Sequence, residues 1–179
     1  MKAGGGKAKG ANFEREVCVK LSRWVSQGKK TDLYWRSAMS GGRATVIHRQ
    51  GGTNRQAGDI TAVATEGHTL TDKWYIECKH VRDLNIDTFI VSGRGMLADF
   101  WRTANKEAIR HGKVPMLIAR QNRFPTIVVT RPDMIYTYAL GNVLDPKTAD
   151  YICLSHEYEM WLFDDLLKLK FHGRVRLVT

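Results

Sequence analysis

Apolar residues return every three or four positions along NFEREVCVKLSRWVSQ, residues 12–27, where Phe13, Val17, Leu21 and Trp24 mark one side. That spacing predicts a helix with a single buried stripe, widened by Cys18 and Val25. Asn12 is the expected cap and Gly28 the expected stop. TDLYWR at 31–36 reads as a strand. DITAVAT at 59–65 and KWYIECK at 73–79 read as the two strands of a hairpin turning near Gly67. A second amphipathic helix is expected over 96–111, with Leu97, Phe100, Trp101, Ala104, Ala108 and Ile109 inward and Gly112 at its end. Buried strands are expected over 114–119 and 126–129. The last third is patterned less sharply. It reads as short helices over 132–139 and 160–169 and a strand over 174–178.

Helices and strands in this order predict an α/β domain: a mixed central β-sheet flanked by helices. The 179 residues suit one domain. It is divided as a flexible basic arm over 1–10, a core over 11–130 and a C-terminal extension over 131–179. Residues 37–58 form a long Gly-, Arg- and Ser-rich loop, with room for a short hairpin over 44–48. A loop of this length inside a compact domain is usually functional or mobile.

Charge adds direction. The formal net charge is +10, and residues 1–60 hold 12 of the 28 Lys and Arg but only 4 of the 18 Asp and Glu. A basic surface concentrated in one third of a chain attracts polyanions, nucleic acid first among them. No apolar run is long enough to span a bilayer, and MKAGGGKAKG lacks the apolar segment of a secretory signal. Cys18, Cys78 and Cys153 are odd in number and far apart, which suits a reducing cytoplasm. The six His show no zinc-enzyme spacing.

Four residues carry candidate chemistry. Period-2 alternation puts Trp74, Ile76 and Cys78 on one strand face, and Tyr75, Glu77 and Lys79 on the other. Asp59 opens the neighbouring strand, so Asp59 and Glu77 are placed to converge on one hard cation such as Mg2+, with the Cys78 backbone carbonyl as a further oxygen ligand. Such an ion activates water, and a lysine beside it stabilises the charge that develops on a phosphate. Glu14 lies at the rim of the helix stripe, where a carboxylate needs a partner. Each residue alone has an ordinary structural reading: first-turn acid, strand-start aspartate, surface charge pair. Together, in a basic protein, they point to phosphodiester hydrolysis.

The sequence KGANFERE at 9–16, WRSAMS at 35–40, GDI at 58–60 and IECK at 76–79 resembles the PD-(D/E)XK nuclease superfamily, most closely archaeal and phage Holliday junction resolvases. The resemblance runs over about 9–121. It implies a restriction-endonuclease-like core and a homodimer that makes paired nicks in four-way DNA junctions. It implies metal binding by Glu14, Asp59 and Glu77, catalytic help from Lys79, and Mg2+ as cofactor with Mn2+ able to substitute. Lys9, Arg15, Arg36 and Ser40 would meet DNA, and Arg43, His48, Arg49 and Arg55 make the long loop a candidate grip. Two departures stand out: Gly58 replaces the proline before Asp59, and the stretch from Ser40 to Asp59 is longer than in compact resolvases. Other readings are a restriction-like, nicking or repair nuclease of a phage or mobile element, and a non-catalytic nucleic-acid-binding module.

Overall fold

The computed structural model describes residues 5–37, 57–139 and 151–172. Helix α1 runs over Gly5–Val25. It begins inside the expected arm, seven residues before the expected cap. Asn12 therefore lies within the helix, where its side chain accepts a hydrogen bond from Arg15 at 2.8 Å. The expected stop holds: Gly28 sits at φ +85 and its N–H bonds the carbonyl of Arg23.

Strand β1 (Tyr34–Arg36) pairs antiparallel with β2 (Ile60–Ala62). The chain then turns through Thr65–Gly67 and α2 (His68–Thr71) into β3 (Trp74–Val81). The predicted hairpin between 59–65 and 73–79 is thus incorrect. β2 pairs back with β1, and contact with β3 comes from a parallel bridge between Gly58 and Ile76. Local alternation marks both segments as extended, but the partner is chosen by non-local pairing.

After β3 come α3 (Ile86–Ser92), α4 (Met96–Arg110), β4 (Val114–Gln121) and β5 (Thr126–Thr130). Then follow a π-helical turn at Ile135–Ala139, β6 (Tyr151–Leu154), β7 (Glu159–Leu162) and α5 (Phe163–Leu166). The expected helix over 160–169 is therefore a strand followed by one helical turn, because β7 is captured between β5 and β6. The five-stranded sheet has the order β3-β4-β5-β7-β6, with β3 and β4 parallel and the other pairs antiparallel. The parallel pair requires a crossover, which α3 and α4 supply. The C-terminal extension completes this sheet. The expected strand over 174–178 and hairpin over 44–48 lie outside the described residues.

Helices cover both faces. On one, Phe13, Val17, Leu21 and Trp24 of α1 pack in a cluster with Trp74, Ile76, Cys78, Met116, Ile118 and Trp161. On the other, Leu97, Trp101 and Ala104 of α4 join Leu117, Ala119, Val129 and Met160. Alternate residues of β4 thus go to opposite cores, as a strand buried on both faces demands. β3 is left at the sheet margin, with α1 on one side and α4 on the other. No helix among the described residues is long and apolar enough to cross a membrane.

Candidate active site

The margin of β3 is where the chemistry-bearing residues meet. Asp59 is docked there by three hydrogen bonds. Its N–H donates to the Ile76 carbonyl at 2.8 Å, its carbonyl accepts from the Ser37 amide at 2.8 Å, and its carboxylate accepts from the Cys78 amide at 2.9 Å. This places the Cys78 backbone on the same free edge, carbonyl included. Gly58 makes the approach feasible. It adopts φ +89, and a Cβ there would lie 2.5 Å from the Ile76 oxygen. Proline, fixed near −65°, cannot adopt this angle. The missing proline is therefore a consequence of how this chain docks its aspartate.

Glu77 comes from the α4 side of β3. One carboxylate oxygen accepts from the Lys79 ammonium and the other from the Tyr75 hydroxyl at 3.3 Å. Tyr75 is stacked on His111, with ring centroids 5.8 Å apart, and buried with Ala57 and Ala108. The Lys79 ammonium lies 5.7 Å from the centre of the Phe100 ring. Glu14 comes from the α1 side, its side chain only 14% exposed, and is ion-paired with Arg36. Two carboxylates thus flank Asp59, each bound to its own cation.

The electrostatics fit that layout. Burial, followed by the Glu77 charge, pushes the Asp59 carboxyl up to about 7; Glu14 adds to this, while the Cys78 amide and Lys79 oppose it. Burial works against the Lys79 ammonium, but the adjacent Glu77 carboxylate outweighs it and raises its value. Among the described residues, no three His, Cys, Asp or Glu side chains are gathered closely enough to chelate an ion, and Glu14 and Glu77 are paired with Arg36 and Lys79. The donor set is nevertheless suited to a hard divalent cation: carboxylate oxygens around a buried Asp59 whose amide and Lys79 partners do not offset its burial.

The other expected contacts divide. The Lys9 ammonium donates to the Asn122 side chain, five residues before Glu14. Arg15 is exposed on the outer side of α1. Arg36 lies within the site as the counterion of Glu14. Ser40, Arg43, His48, Arg49 and Arg55 lie outside the described residues. Sequence reasoning missed Tyr75 and Phe100 as neighbours of Glu77 and Lys79. Tyr75 was within reach, since it shares the period-2 face of Glu77.

A mixed sheet between two helical layers, with Asp and Glu-x-Lys at its margin, is the layout of a restriction-endonuclease-like core. Over residues 5–169 the chain matches the family described as "Phage putative PDDEXK endonuclease", and it belongs to that family. No curated protein and no solved structure matches it. PD-(D/E)XK nucleases generally use divalent metal ions, and a nuclease of this class binds DNA.

Proposed function

We propose that the protein is a Mg2+-dependent endodeoxyribonuclease that makes paired nicks in four-way DNA junctions, acting as a homodimer. A two-fold dimer would offer equivalent sites to the two strands to be cut. The observation that carries the catalytic reading is the meeting of Asp59, Glu77 and Lys79 at one strand margin with Glu14 and Arg36 beside them. Asp59, Glu77, Glu14 and the Cys78 carbonyl would hold the cation, and Mn2+ would substitute. When bound, the ion supplies Lewis-acid activation of water and of the phosphate. Lys79 donates to a non-bridging phosphate oxygen, offsetting the charge that builds as water adds to phosphorus and the P–O bond to the leaving strand breaks. Tyr75 would steady the Glu77 carboxylate through its hydroxyl, and the Phe100 ring would favour the charged Lys79 ammonium beside it.

The test is cleavage of an immobile four-way junction beside its matched linear duplex, with Mg2+ or EDTA, by wild type and Asp59→Asn. The expected result is symmetric Mg2+-dependent nicks in the junction alone, lost in the variant. Cutting of both substrates would leave a nuclease without junction specificity. Tight, salt-sensitive binding with no cutting would leave a binding module.

A further inference from the structure

The turn between β4 and β5 reads Asn122-Arg123-Phe124-Pro125, and nothing in the proposed chemistry uses it. Its placement is unusual. Arg123 is exposed at φ +67, and Phe124 beside it is 55% exposed. A lone apolar residue on a surface needs no partner. This one sits in a turn with basic residues beside it. The turn rests on β3 through a hydrogen bond from the Asn122 amide to the Val81 carbonyl at 3.1 Å, and it meets α1 where Lys9 donates to the Asn122 side chain. Lys9 and Arg120 crowd the neutral His80, Arg82 follows β3 and Arg123 sits in the turn, so four cations collect at one end of β3 and β4.

Of the acids nearby among the described residues, Glu16 is already paired with cations and Asp83 is not. Glu16 takes both terminal nitrogens of Arg120, at 2.8 and 2.6 Å, and also pairs with Lys20. Asp83 accepts from the Asn85 amide. Arg120 also donates to Thr126 and lies 4.8 Å over the Phe13 ring, so it ties α1 to the turn. Lys9 and Arg123 meet no carboxylate among the described residues. The patch lies near the site on the α1 side: Lys9 precedes Glu14 by five residues, about 7.5 Å along the helix axis.

We infer that this turn is a DNA-gripping surface, in which Arg123 and Lys9 take backbone phosphates beside the cut and Phe124 stacks on a base left unpaired at a branch. Cations with neutral partners suit phosphate oxygens, and an exposed ring between them suits a base face. The inference rests on the nuclease reading for its substrate, and it adds the feature that would select branched over linear DNA.

The test is equilibrium binding in EDTA, where no cutting occurs, to a fork with a single-stranded arm and to its linear duplex. Arg123→Glu should weaken both complexes at least about tenfold and reduce the slope of log K against log salt by about 1–2. Phe124→Ala should weaken the fork complex roughly tenfold and the duplex complex less than twofold. Lys29→Glu, the same charge change beyond the far end of α1 and roughly 25 Å away, should leave the fork complex within about threefold. Melting temperatures confirm folding, and Arg123→Gln replaces Arg123→Glu if the latter is destabilised. Binding of both variants within twofold of wild type, or an equal loss in Lys29→Glu, overturns the inference. Retained binding differences in a protein that cuts no DNA with Mg2+ would overturn the nuclease reading and leave the surface standing.

Discussion

Asp59 and Glu159 are both buried carboxylates, and they have become different things. Each is held by backbone amides: Asp59 by Cys78, and Glu159 by Asp133 and Ile135 at 3.2 and 3.3 Å. Burial raises each to about 7. Glu159 is fully buried within the sheet, where it pins the start of the π-helical turn. Asp59 stands at the sheet margin with Glu77, Glu14, Lys79 and Arg36 around it. Burial alone produces a structural acid. Crowding with further carboxylates and matched cations, at the sheet margin, produces a candidate reaction centre.

The largest expected effect separates the two acids outright. Asp59→Asn and Glu77→Ala should each lower Mg2+-dependent DNA cleavage at least about a thousandfold, while Glu159→Gln stays within about threefold; initial rates on labelled DNA decide this. Next is Gly58→Ala, which forces a Cβ against the Ile76 oxygen at a strained φ. It should destabilise the fold by about 1–3 kcal/mol in urea denaturation and cut activity by tenfold or more, since Asp59 can no longer dock.

Metal response gives a third contrast. Millimolar Mg2+ should raise the melting temperature of wild type and Glu159→Gln by a few degrees and leave Asp59→Asn unmoved. A fourth uses pH in an Asp59→Asn background. Glu159 has an ordinary value of 4.5 and a folded value of about 7. Its raised value contributes stability that is full below about 4.5 and lost as pH rises through about 7. Glu159→Gln should remove that fall, on the order of 2–3 kcal/mol between pH 4.5 and 8 in urea midpoints. Parallel pH curves would show that Glu159 is not the titrating group. The smallest effect is expected of Tyr75→Phe, which keeps the His111 stack and removes only the hydroxyl on Glu77. Cleavage should fall several-fold, with the DNA dissociation constant unchanged.

Much of this arrangement was legible in the residue pattern. The α1 stripe, the two faces of β3, α4 and the buried β4 follow from local periodicity, and Glu77 and Lys79 from their two-residue spacing. The way Asp59 reaches them was not, because it depends on a parallel bridge through Gly58 rather than on a hairpin. Glu14 was legible as a rim carboxylate, but its pairing with Arg36 needed the β1–α1 contact. Glu159 gave no signal, since a glutamate in EYEMWLF reads as surface until β7 is seen between two other strands. Local pattern shows what is extended or helical. Non-local pairing decides which polar groups become buried together.

An Asp59 that anchors a metal-dependent cleavage centre at the margin of β3 must be needed for cutting and not for DNA binding. The most direct measurement is single-turnover cleavage of end-labelled junction DNA by wild type and Asp59→Asn at equal bound fractions, first with Mg2+ and then with EDTA. Wild type should cut with Mg2+ only, and Asp59→Asn should bind the junction without cutting it. Cutting by the variant at the wild-type rate, or cutting by wild type in EDTA, would contradict that role of Asp59.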